Sequence, residues 1–168
     1  MPLIEINKVR YRRHLTIIIA ACIGGLAIGS LVLSQLLIVF FPDESGSHFH
    51  WNLLGVVATG GIIAWLLNKN RRRDFMTEVV YVWELKQTLN KINRKMMKLK
   101  TAGEAGNPSA LLAMHYCYEG SSILWLLDDN TLLMDELSAK QAELKGLAKK
   151  FNLVLNSKEF QELDLKQF

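Results

Sequence analysis

"LTIIIAACIGGLAIGSLVLSQLLIVFF", Leu15 to Phe41, is a run of 27 residues without one charged side chain. A helix needs about 20 apolar residues to cross the ~30 Å of bilayer hydrocarbon, and this run exceeds that. A second uncharged stretch, "WNLLGVVATGGIIAWLL", covers 17 residues from Trp51 to Leu67, at the short end of the range. Both contain glycines, which membrane helices tolerate better than soluble ones. The sequence therefore predicts an all-α membrane protein. Residues 1–14 form a basic cytoplasmic N-terminus, and residues 15–67 a transmembrane hairpin with helices at about 15–41 and 51–67 and a connector at 42–50. A cytoplasmic helical domain occupies residues 68–168.

Composition agrees with this division. Half of the 168 residues are apolar, the net charge is +4, and the charges fall wholly outside the two runs. Cys22 lies inside the first run and Cys117 in the charged part, so the pair makes no plausible staple, and a reducing cytosol suits Cys117. The segment ending Ile19-Ala20-Ala21-Cys22 has the outline of a lipoprotein cleavage box. A lipoprotein becomes polar after its cysteine, however, whereas here the apolar run continues to Phe41, which also disfavours a cleaved signal peptide.

Lys8, Arg10, Arg12 and Arg13 precede the first run, and Lys69, Arg71, Arg72 and Arg73 follow the second, while the connector holds only Asp43 and Glu44. Positive residues stay on the cytoplasmic side, so both termini are expected there, with the arginines against anionic lipid headgroups. Ala21, Gly25 and Gly29 recur every four residues, and Gly55 and Gly60 mark small positions on the second run. Such stripes let helices approach closely in lipid, either within the hairpin or against a second protomer. Gln35 is expected to hydrogen-bond across helices. No charge lies within either run, which argues against a pump or coupled transporter.

The connector "FFPDESGSHFHW" combines a helix-stopping proline, flexible Ser-Gly-Ser chemistry and an interfacial tryptophan, with Ser47 or Asn52 as candidate cap of the next helix. Asp43, Glu44, His48 and His50 are the candidate ligands of a metal- or proton-responsive sensor. Imidazoles two residues apart fall on opposite sides of a helix, unlike the four-residue spacing that chelates from one face. A plain connector without metal is the expectation.

No proline or glycine occurs between Ile62 and Ala102, so the second membrane helix is free to continue through "NKNRRRDF" into the cytoplasm. Beyond it, Val82, Leu85, Leu89, Ile92, Met96 and Leu99 alternate three and four apart, as for a bundle seam or a short coiled coil. Lys86, Lys91, Arg94, Lys95, Lys98 and Lys100 crowd the same stretch, and residues 104–139 hold only acids among their charges. A basic helix packed on this acidic block is expected, and the absence of a recognisable reader module disfavours nucleic acid. Asn107-Pro108 opens one helix, a third runs to about Phe151 with Leu133, Leu137, Leu144 and Leu147 on one side, and Asn156 with Glu159 caps a short last one. His115 and Glu119 share a helix face and Cys117 points away from both, so no nucleophile and base pair forms. No phosphate loop, dinucleotide fingerprint or triad order is present, and neither an enzyme nor a cofactor is expected.

"INKVRYRRHL" before the first run and "GSHFHWNLLGV" at the turn resemble the Domain of Unknown Function 3087 family of small proteobacterial inner-membrane proteins. The resemblance implies a bacterial inner membrane and two spanning helices, and brings no activity. The expected role is an interaction protein that self-associates or serves a membrane protein partner as accessory subunit or scaffold through its cytoplasmic bundle.

Overall fold

The computed structural model describes residues 1–41, 48–130 and 132–168 and contains no strand among them. The helices are α1 (Lys8–Phe40), α2 (Phe49–Asn70), α3 (Asp74–Asn93), α4 (Met96–Glu104), α5 (Pro108–Leu127) and α6 (Met134–Lys150), followed by 3-10 turns at Ser157–Glu159 and Glu162–Gln167. They form two compact units. The first comprises Met1–Lys8 with Tyr81–Phe168, and the second Val9–Val80.

The second unit is built on the hairpin of α1 and α2, both long and apolar enough to cross a membrane. α1 begins seven residues before the uncharged run, because the basic residues ahead of it are good helix formers. α2 begins at Phe49 with His48 as a cap that makes no side-chain bond; Asn52 lies inside the helix and Ser47 outside the described residues. The expected continuation of this helix past Asn70 does not occur, since Arg71–Arg73 form a turn. Three successive cations repel, and Asn70 Nδ2 donates back to Leu66 O at 2.7 Å. Lys69 in the last turn of α2 and Asp74 in the first turn of α3 complement two separate helix dipoles.

α5 is the axis of the first unit. Its sequence is apolar all round, as a central helix requires, and it packs on α4 and α6. Asn107 accepts from Ala110 N at 3.2 Å and Pro108 occupies the first turn, as the sequence predicts. Gly106 has φ +86°, and a Cβ there would stand 2.7 Å from the Phe151 ring, so the α4–α5 turn requires glycine twice over. Gly120 lets α5 close on α3: its Cβ would meet Leu89 Cδ2 at 2.9 Å.

The heptad-like seam is an intrachain core. Val82, Leu85, Leu89, Ile92 and Leu99 are buried, and the helix carrying them is interrupted between Asn93 and Met96. Leu137 and Leu144 of α6 are buried as well, but Leu133 is the exposed cap residue. The basic block meets acids differently from the expectation. Lys86 pairs with Asp128 at 3.2 Å, yet Lys91 reaches Glu162 at 2.5 Å, Lys95 Nζ donates to Leu165 O at 2.6 Å and Lys98 Nζ to Phe168 O at 2.7 Å. Most of the bonded lysines are thus bound by the C-terminal segment, which Asn156 initiates by accepting from Lys158 N at 3.1 Å.

Candidate functional site

The hairpin seam is the most specific construction in the second unit. A Cβ on Gly29 would stand 2.6 Å from Thr59 Cγ2, and one on Gly25 3.6 Å from Ile63 Cδ1. A Cβ on Gly55 would overlap Ser34 Oγ and lie 3.0 Å from Ser30 O. From Gly25–Ile63 to Gly29–Thr59 four residues along α1 are matched by four back along α2, and on to Ser34–Gly55 five by four, the register of an antiparallel pair. Ser34 is 4% exposed and donates to Ser30 O at 2.6 Å, so its hydroxyl is satisfied where Gly55 approaches. Gln35, expected at the contact, is one position round the helix from Ser34 and is exposed. A Cβ on Gly60 would meet nothing within 4 Å, which places Gly60 outside the seam, and Ala21 lines a groove beside it. The outer sides remain apolar and uncovered, with Ile23, Ile28, Leu31, Val39, Val57 and Ile62 exposed.

At the basic end of the same unit, α1 meets α3. Arg10 Nε lies 3.3 Å from Glu78 Oε1, and His14 Nδ1 lies 3.5 Å from Glu78 Oε2 without hydrogen-bond geometry. The His14 ring lies tilted against Phe75 with centroids 4.2 Å apart. Arg12, Arg13, Arg72 and Arg73 are exposed and Arg71 is half-buried. Lys69 Nζ stands 4.8 Å over the Trp65 ring, a cation against an exposed aromatic at the end of α2.

The other end of the hairpin carries the histidines. His48 caps α2, His50 lies in its first turn, and Trp51 stacks with Phe41 at 5.5 Å and meets the His50 ring at a tilt, centroids 4.7 Å apart. Asp43 and Glu44 lie outside the described residues, and among the described ones no three His, Cys, Asp or Glu side chains converge on a metal position.

In the first unit, His115 Nε2 lies 3.4 Å from Glu119 Oε1 one turn on, a partly exposed structural pair. Cys117 is buried with Sγ 3.4 Å from Asn93 Oδ1, and burial pushes its thiol up to about 11, which leaves it protonated and inert at neutral pH. The N-terminal segment is bonded to the bundle. Tyr116 donates to Met1 O at 3.0 Å, Tyr81 donates to Pro2 O at 3.2 Å and accepts from Ile4 N at 2.9 Å, and Lys8 pairs with Asp129. Sequence reasoning missed Glu78, Tyr81, Tyr116 and Asp129, whose partners are far away in the chain and follow no local period.

The family model described as a protein of unknown function (DUF3087) matches residues 1–165. No curated protein and no solved structure matches the chain.

Proposed function

The chain belongs to the DUF3087 family of proteins of unknown function, and we propose that it is a non-enzymatic inner-membrane protein whose two-span hairpin anchors a cytoplasmic helical bundle for interaction with a membrane partner. The observation that carries this reading is the uncovered apolar surface of α1 and α2. None of the most apolar window of α1 and only 11% of that of α2 is buried. Contiguous apolar surface of this kind calls for lipid or protein to cover it.

Two further features support the same arrangement. The bundle unit contains both Met1–Lys8 and Tyr81–Phe168, so the chain leaves it into the hairpin and returns to it, as two spans require. Lys8, Arg10, Arg12 and Arg13 then flank one span and Lys69 and Arg71–Arg73 the other, on the side that positive residues mark as cytoplasmic. The bundle offers helical surface, which suits an accessory or scaffold role.

Cysteine-accessibility labelling tests this reading. In a background lacking Cys22 and Cys117, an impermeant reagent given to cells with a permeabilised outer membrane should label Ser47→Cys and spare Ser157→Cys. Labelling of position 157 in intact cells, or release of the protein from membranes by alkaline carbonate, would overturn it.

A further inference from the structure

The seam between α1 and α2 loosens toward its basic end. A Cβ on Gly29 would collide with Thr59, one on Gly25 would make only ordinary contact with Ile63, and beyond these the two helices leave a groove of about 260 Å³. Ile18, Ala21 and Gly25 line it from α1, and Ile63, Leu67 and Asn70 from α2. Every lining residue but the last is apolar or small, and the polar one closes the end nearest the arginine turn. Within the membrane reading, on which this inference rests, such a groove is filled either by another helix or by a lipid chain.

Charge decides between them. A second hairpin seated here about an axis normal to the membrane would bring its own Lys69 and Arg71–Arg73 to the same level, setting like charges together. A phospholipid brings the opposite charge. Exposed Trp65 with Lys69 above its ring marks the height of an interfacial aromatic, so the groove mouth lies where a phosphate would. Arg72 and Arg73 are exposed two and three residues beyond Asn70, and guanidinium matches phosphate geometry.

We propose that this groove binds one anionic phospholipid of the bilayer, holding an acyl chain between α1 and α2 and its phosphate at the Arg71–Arg73 turn.

The test uses the full chain in mixed micelles with equal phosphatidylglycerol and phosphatidylcholine, read by native mass spectrometry. One phosphatidylglycerol should be retained per chain in preference to phosphatidylcholine. Ala21→Phe, which fills the groove, should abolish that preference. The pair Arg72→Gln and Arg73→Gln leaves the helix seam untouched and should weaken retention roughly 25-fold, each cation near headgroups contributing about fivefold. Loss in both variants supports the site. Unchanged retention in either, or a change of oligomer mass in Ala21→Phe with lipid retained, overturns it. Flotation with phosphatidylcholine and phosphatidylglycerol vesicles separates the two levels of inference. Protein that floats without lipid preference sinks the site alone, whereas protein that does not float sinks the membrane reading and the site together.

Discussion

Gly29 of α1 and Thr59 of α2 share one space: a Cβ on Gly29 would stand 2.6 Å from Thr59 Cγ2, and Thr59 is 6% exposed. The collision is with a single methyl, since Thr59 Oγ1 would remain at 3.5 Å. Gly29→Ala should therefore destabilise the hairpin by about 1–3 kcal/mol through overpacking, offset in part by the better helix propensity of alanine. Thr59→Ser removes the obstructing methyl, so the double variant should recover most of the loss. Gly60→Ala, with open space around it, should be neutral or slightly stabilising. Reversible unfolding in detergent measures all four proteins, and additive single effects would show that the two residues do not touch.

Much of this was legible because long apolar helices announce themselves by length and absence of charge. The runs at 15–41 and 51–67 identify α1 and α2, and the small residues at 25, 29 and 55 fall on the seam. What periodicity could not supply was the partner of each position. Gly60 is chemically identical to Gly55 yet lies outside the contact, and Ser34 rather than Gln35 stands at the seam, because a rotation of one residue decides it. The break at Arg71–Arg73 was hidden by the lack of glycine or proline; charge repulsion and back-bonding asparagine end the helix instead. Glu78, Tyr81 and Tyr116 left no local signal, since what places them is distant in sequence.

The N-terminal segment should detach when its tyrosine bonds are cut. Tyr116→Phe removes the donor to Met1 O at 3.0 Å and keeps the ring that stacks on Phe160 at 4.3 Å. Tyr81→Phe removes one donor and also strands Ile4 N–H. A typical hydrogen bond contributes about 0.5–1.5 kcal/mol, so the two changes, which remove three bonds, should together cost roughly 1.5–4.5 kcal/mol. Hydrogen exchange at residues 3–6 should accelerate most in Tyr81→Phe. Equal protection in wild type and both variants would show that the segment is held otherwise.

Alkaline pH should weaken the bundle in a defined window. Burial raises the Cys117 thiol from an ordinary 9.0 to about 11, and the Tyr116 phenol from 10.0 to about 12. In each case the folded state keeps its proton where the unfolded chain has lost it. The stability these groups contribute is complete below the unfolded value and is lost as pH rises through the folded one. Stability should thus begin to fall above pH 9 and more steeply above pH 10. Cys117→Ala should flatten the first part of the curve, between pH 9 and 11. An identical slope in that interval would show that the thiol ionises alike in both states.

Charge and burial are two separable means of holding the C-terminal segment against the bundle. Its lysine contacts are mostly exposed: Lys91 and Glu162 are 56% and 48% exposed, and such surface pairs contribute only about 0.2–1 kcal/mol. Phe160 and Leu165 are by contrast 5% and 4% exposed, with Phe160 stacked on Tyr116. Truncating a buried phenylalanine costs about 3–5 kcal/mol, so burial, not charge, should hold the segment. Phe160→Ala should lower bundle stability by that amount, while Lys91→Ala should stay within about 1 kcal/mol of wild type. Raising the salt should erase the lysine effect and leave the phenylalanine effect unchanged, because screening acts on exposed charges alone. Thermal unfolding at low and high ionic strength checks both, and a salt-sensitive loss in Phe160→Ala would reassign the hold to the lysines.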